Sequence, residues 1–134
     1  MANFVSAPKA LKSTAQGITT SWAAVGDPFK AGLFERVIIR PDIDINASTD
    51  VQFRLIERLY VATAGNEYSI MNEIDDGSTV YVEAQTVEIS VDSDQKDILS
   101  FDIQGLQWLE LQMKAAVSGG ILNSVHFNFV KVGS

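Results

Sequence analysis

From Thr86 to Ala115 apolar and polar residues alternate almost without interruption. Val87, Ile89 and Val91 are separated by Glu88 and Ser90, and Leu99, Phe101 and Ile103 by Ser100 and Asp102. Leu109, Leu111 and Met113 are separated by Glu110 and Gln112. A strand sends successive side chains to opposite faces, so this period marks strands with one dry and one wet face. Two short linkers rich in turn formers, Asp92–Asp97 and Gln104–Gln107, join the three runs and predict an antiparallel sheet. Such a sheet is a scaffold and names no chemistry.

The rest of the chain carries the same rhythm. Ile18–Trp22 predicts a strand, Gly26-Asp27-Pro28 a turn, and Leu33 to Arg40 a long strand with Leu33, Val37 and Ile39 on one face. Pro41 lacks an amide donor, so it is expected to end that strand or hold it at an edge. Val51 to Val61 is the next strand, with Val51, Phe53 and Leu55 inward. Its phase shifts at Ile56, which predicts a bulge near Glu57 or cover on both faces. Asp75-Asp76-Gly77-Ser78 is the strongest turn signal. In the last strand Val125, Phe127 and Phe129 face one way and Ser124, His126 and Asn128 the other. Residues 6–16 are the only stretch where a short helix would fit.

These runs make roughly eight to ten strands at the spacing of β-sandwiches and barrels. The expected fold is an all-β antiparallel sandwich, jelly-roll-like. Its core is expected to hold Val37, Ile39, Phe53, Leu55, Val87, Ile89, Val91, Leu99, Phe101, Leu109, Leu111, Phe127 and Phe129. At 134 residues the chain fits a single domain at 17–134, preceded by a weakly patterned N-terminal arm or edge segment at 1–16.

Composition excludes several functions. There are no cysteines, hence no disulfide, thiolate metal site or cysteine nucleophile. A net charge of −7 disfavours nucleic acid and anionic membranes as partners. No apolar run reaches the length of about 18 residues that a membrane helix needs. The first residues do not read as a secretory signal, so synthesis in a cytoplasm is expected.

Candidate chemistry is sparse. Asp42, Asp44, Asn46 and Asp50 start like a calcium loop, but Ala47 and Phe53 stand where that loop needs Gly and Glu. A solvated strand face explains them better. Asp92, Asp94 and Asp97 suit a turn, where carboxylates accept from nearby amides. His126 is the only histidine and cannot build a metal triad or, with no nucleophile elbow, a serine triad. No catalytic, metal or cofactor residue is therefore assigned, and the protein is expected not to be an enzyme.

The only arginines, Arg36, Arg40, Arg54 and Arg58, fall on two successive strands, each pair at even spacing and so on one face. They fit either cross-strand pairing with Glu35, Glu57 or the Asp42–Asp44 segment, or an interface patch for an acidic protein partner. Trp22, Trp108, Tyr60, Tyr68 and Tyr81 fit core or interface packing, or a sugar-stacking platform if clustered at one loop end.

Thr19-Thr20-Ser21-Trp22 with the Val25-Gly26 turn, Ser48 to Arg54, Glu88 to Lys96, Trp108 to Ala115, and the Gly119-Gly120 break form a further set of stretches. Together they resemble small virion structural proteins of tailed bacteriophages, particularly capsid decoration and related head-associated β-sandwich proteins. The likeness runs from about Ile18 to Gly133 and is one of rhythm. It implies a non-enzymatic protein of the virion, made in the host bacterial cytoplasm. Such a protein self-associates, often as a trimer, and binds a capsid or other virion protein. No catalytic or ligand residue carries over from it.

On that reading the expected interface residues are Phe4, Val5 and Leu11 of the N-terminal segment, the four arginines, and Tyr60 of the Leu59-Tyr60-Val61 run. A carbohydrate-binding β-sandwich module is the alternative. A small β-barrel metalloenzyme is a third reading, which a single histidine disfavours.

Overall fold

The computed structural model describes residues 4–31, 34–58, 67–69, 71–75, 77, 80–84, 86–89, 98–103, 106 and 108–131. No helix occurs among them. The N-terminal strands are β1 (Phe4–Val5), β2 (Lys9–Lys12), β3 (Gln16–Gly17) and β4 (Ala23–Lys30). Next come β5 (Arg36–Asp44), β6 (Val51–Arg58), β7 (Glu67–Ser69), β8 (Met71–Asp75) and β9 (Val80–Ala84). The last are β10 (Thr86–Ile89), β11 (Leu99–Asp102), β12 (Trp108–Lys114) and β13 (Ile121–Lys131).

Two antiparallel sheets pack face to face. In the first, β13 lies between β5 and the short strands β1, β2 and β3, and β11 flanks the other side of β5. In the second the order is β10, β6, β12, β4, with β7 also beside β6. Ser69 of β7 stands opposite Ile56, and Thr86 of β10 opposite Arg54, both antiparallel to β6. β7 and β10 are thus two halves of one edge strand, interrupted at the level of Leu55. The β8–β9 hairpin is inserted in that interruption, and among the described residues these two strands pair only with each other.

Counting β1–β3 as one edge and β7/β10 as another leaves eight strand positions. Successive positions alternate between the sheets except at β6 to β7/β10. That winding, with outer-to-outer order β1–β3, β13, β5, β11 against β7/β10, β6, β12, β4, is a jelly roll. The expected antiparallel β-sandwich is the fold.

The core is where the alternation put it. Val37, Ile39, Phe53, Leu55, Leu99, Phe101, Leu109 and Leu111 are all buried. Val25, Phe29, Ile43, Val51, Met113, Leu122 and Val125 join them from both sheets. Phe127 and Phe129 reach only its margin, half-buried, where Phe127 meets Phe29 at 4.9 Å and Phe129 stacks on Phe34 at 4.8 Å. Val91 and the side chains of Val87 and Ile89 lie outside the described residues.

Several expectations are corrected. The runs at 87–89, 99–102 and 108–114 are not sheet neighbours: β10 and β12 both flank β6, while β11 belongs to the opposite sheet. Successive runs thus belong to different sheets, which period-two patterning cannot distinguish from a hairpin. Gly26-Asp27-Pro28 does not reverse the chain. Leu109 pairs Phe29 and Leu111 pairs Val25, so the three residues bulge out of β4 opposite Glu110 alone. Pro41 does not end its strand; β5 continues to Asp44, and among the described residues Pro41 has a strand neighbour, Val125, on one side only.

Ile18–Trp22 is not a strand, although Ile18 is buried in the core. No bulge occurs near Glu57. The pairing of β6 with β12 runs unshifted from Gln52 to Glu57, and Leu55 and Ile56 are buried on opposite faces. Residues 6–16 hold strand in place of the helix allowed there.

The N-terminal segment is the edge rather than a free arm. β1, β2 and β3 all pair with β13 of the same chain, and Ser6 bonds Phe129 through both its amide and its hydroxyl. Leu11 packs against the core, and Gln16 Nε2 donates to the carbonyl of Ala24 in β4 at 3.0 Å. The segment therefore closes the sandwich on one side by touching both sheets.

Candidate functional site

The outer face of the second sheet carries the densest side-chain chemistry among the described residues. Phe53 and Leu55 point inward on β6, so Gln52, Arg54, Ile56 and Arg58 point outward. Leu109, Leu111 and Met113 do the same on β12 and turn Trp108, Glu110, Gln112 and Lys114 outward. The register sets Gln112 opposite Arg54 and Glu110 opposite Ile56.

A continuous polar ladder results. Arg58 Nη1 donates to Glu110 Oε1 at 2.8 Å, an ion pair whose side chains are 15% and 8% exposed. Gln112 Nε2 donates to Glu110 Oε2 at 2.8 Å, and Arg54 Nε donates to Gln112 Oε1 at 2.8 Å. The Arg58–Glu110 contact is diagonal across the strand pair, a span long side chains bridge readily. Ile56 sits between the two arginines on its strand and is 3% exposed, which accounts for the apolar doublet Leu55-Ile56.

The ladder ends on an aromatic. The Arg54 guanidinium lies 4.3 Å from the ring centroid of Trp22, and the Lys114 ammonium 5.0 Å from it. Both distances are within cation–π range. Burial pulls the Arg54 pKa below the usual arginine value, while the Glu110 carboxylate pulls it back up. Beside Lys114 opens a hollow of about 340 Å³ lined by Thr20, Asp50, Gln52, Lys114, Ala115 and Ala116. The arrangement is a rigid, partly dehydrated cationic face with an aromatic platform, suited to holding a carboxylate-bearing surface and offering no nucleophile beside a base.

The other arginine pair occupies the opposite outer face. Arg36 donates to Ser100 Oγ through Nε at 2.9 Å and Nη2 at 2.7 Å, and Arg40 Nη1 donates to Asn128 Oδ1. Each pair shares a face, as the spacing predicts, but consecutive strands of this jelly roll lie in different sheets. The four arginines are therefore not brought into one patch. Arg54 meets Gln112 and Arg58 meets Glu110, partners that the sequence reading, with Glu35, Glu57 and Asp42–Asp44, did not name.

The remaining candidates are dispersed. Val5 is exposed, and Leu11 is packed inside the sheet edge; Tyr60 and the side chain of Phe4 lie outside the described residues. Trp22 neighbours Lys114 and Trp108 starts β12, so about six strand residues, or ~20 Å, separate the two tryptophans. Tyr68 and Tyr81 lie on β7 and β9. His126 is exposed on the outer face of the first sheet, opposite Arg40. Asp42 accepts from Asn123 at 3.4 Å, while Ile43 and Ile45 beside it are buried, which is the strand-face reading of that acidic series. Asp92, Asp94 and Asp97 lie outside the described residues. Among those described, no three His, Asp or Glu side chains converge as a metal site.

Glu110 is the functional-face residue the sequence reading missed. Its place in an alternating strand marks it as solvent-facing, yet it is 6% exposed. The signal was available: Arg54, Arg58 and Lys114 share its outward parity.

No protein-family model matches the sequence, and no curated protein matches it. The crystal structure of the SPBc2 prophage-derived protein YomS is similar to this chain with a TM-score of 0.51. The match covers 98% of this chain and 96% of that one at 14% identity. The two share a fold.

Proposed function

We propose that this protein is a non-enzymatic structural component of a tailed-phage virion. On this reading it is made in the host bacterial cytoplasm, self-associates with a trimer as the expected assembly, and docks on the head lattice as a decoration protein. The observation that carries the reading is the end-to-end likeness in fold to a prophage-derived protein. The polar ladder adds support, since its buried Arg–Glu pair and roofed Ile56 make a rigid presenting surface of the kind that interfaces use. A sugar platform gains nothing from the tryptophans, because Trp22 is occupied by Arg54 and Lys114 and Trp108 stands far from it.

The test is mass spectrometry and immunogold microscopy of gradient-purified particles released by cells that carry the gene. A decoration protein copurifies in many copies and labels heads. Its absence from the particles would overturn the proposal, and label on tails alone would overturn the head assignment.

A further inference from the structure

Two cations on the outer face of the second sheet are held in place with most of their donors unspent. Arg54 uses only its Nε within the protein, on Gln112 Oε1, and among the described residues its two Nη groups meet no acceptor. The Lys114 ammonium has no hydrogen-bond acceptor or carboxylate partner among them either. Both charges instead gather on one ring, Arg54 at 4.3 Å and Lys114 at 5.0 Å from the Trp22 centroid. Like charges so placed repel, and an anion shared between them relieves the repulsion.

The outward positions of β6 and β12 hold three cations, Arg54, Arg58 and Lys114, against one carboxylate, Glu110, in a chain whose net charge is −7. Both Glu110 oxygens are already engaged, Oε1 by Arg58 and Oε2 by Gln112. Beside Lys114 lies the hollow of about 340 Å³, within the range of about 300–1,000 Å³ usual for ligand pockets. Its wall carries Asp50, Gln52 and the Thr20 hydroxyl, all of them acceptors for N–H groups. The corner therefore offers cationic donors on one side and acceptors on the other.

We infer that this corner is a receptor for an acidic side chain carried on an extended segment of another protein. The carboxylate takes the Nη groups of Arg54 and the Lys114 ammonium, and the segment's neighbouring amides lie over the hollow, towards Asp50 and Gln52. A planar guanidinium matches the two oxygens of a carboxylate. A phosphate fits less well, because Asp50 in the wall and the net charge of −7 repel a dianion. The inference deepens the docking reading above and rests on it only for the partner's identity, another protein of the virion; the site itself follows from this chain.

The experiment is an NMR titration of the full chain, read at the indole N–H signals of its two tryptophans. The probes are hexaglutamate, hexaglutamine and inorganic phosphate at constant ionic strength. Hexaglutamate should move the Trp22 signal saturably and leave Trp108 in place, and hexaglutamine should move neither. Arg54→Gln/Lys114→Gln should weaken hexaglutamate binding on the order of tenfold or more. Lys9→Gln/Lys12→Gln, which removes two cations from β2, should leave it unchanged. Circular dichroism checks that each variant is folded. Lys114→Gln alone, which breaks no hydrogen bond among the described residues, keeps the test valid if the double variant fails to fold; it should weaken binding several-fold.

No saturable shift at Trp22 would overturn the site. Equal weakening by Lys9→Gln/Lys12→Gln would show general charge attraction and would also overturn it. Phosphate binding as tightly as hexaglutamate would overturn the assignment to a carboxylate. A wild type that binds hexaglutamate at Trp22 yet is absent from purified particles would support the site and overturn the virion partner.

Discussion

The carbonyl oxygen of Leu11 lies where a side chain at Gly26 would have to go: a Cβ built there falls 2.6 Å from it and 3.0 Å from Leu11 Cγ. Gly26 sits in the β4 bulge at φ +69°, in the left-handed region that favours glycine. The bulge thus serves as the seat of the N-terminal edge, letting β2 of one sheet approach β4 of the other.

Gly26→Ala should therefore lower stability by at least about 2 kcal/mol, from positive-φ strain and a backbone clash together. Adding Leu11→Ala should not rescue it, because the nearest obstructing atom is main chain. Urea midpoints of the single and double variants decide this. Full rescue by the double variant would mean that the contact is merely side-chain crowding.

Burial sets a second expectation. Phe101 is fully buried in the core, so Phe101→Ala should cost about 3–5 kcal/mol through lost transfer energy and a residual cavity. Phe127 is half-buried at the margin with Phe29 and Phe129 around it, so Phe127→Ala should cost less, about 1–3 kcal/mol. Equal losses in denaturant titrations would contradict the placement of the core between the sheets.

The Arg58–Glu110 pair gives a third. Glu110→Ala removes an acceptor from both Arg58 and Gln112 and takes away the Glu110 counter-charge from a nearly dry ladder, at a cost of about 2–3 kcal/mol. Replacing the pair together, as Arg58→Met/Glu110→Leu, should return most of that stability, since a packed apolar pair avoids desolvating two charges. A double variant as unstable as the single one would show that the ladder's hydrogen bonds, and not the loss of the opposing charge, carry the effect.

Alternation in the sequence made the inward positions of β5, β6, β11 and β12 legible, because a two-residue period at a buried face leaves few registers. It could not show which strands are neighbours. Val87, Phe101 and Leu111 follow one another in sequence with the look of a meander, yet β11 lies across the core from β10 and β12. Turn chemistry misled at Gly26-Asp27-Pro28, since the residues that reverse a chain also make a bulge.

Parity also says which way a side chain points but not what covers it. Asn128 and Glu110 both read as solvent-facing and are both buried, Asn128 under Arg40 and Glu110 between Arg58 and Gln112. The candidate face was visible only as separate pieces. The arginine pairs could be read, but their partners depend on strand order, which is a tertiary property.

The Gly119-Gly120 break is a packing requirement, and it supplies the last prediction. Ser48 is 2% exposed, and its Oγ accepts from the amide of Gly120 at 2.7 Å. A Cβ at Gly120 would fall 2.8 Å from that oxygen and 3.0 Å from the Ile45 carbonyl, so the 45–48 turn and the start of β13 fit only without a side chain. The Gly120 carbonyl in turn accepts from the buried Ile18 amide at 2.9 Å, linking the N-terminal edge to the same point. Ser48→Ala removes the hydroxyl that accepts from the buried Gly120 amide and should cost about 1–3 kcal/mol. Amide hydrogen exchange should quicken at Gly120 and Ile18 while the amides of β12 keep their protection, because the second sheet does not share this junction. Unchanged exchange at Gly120 in Ser48→Ala would mean that the amide has another acceptor and that the hydroxyl is not what holds the two segments together.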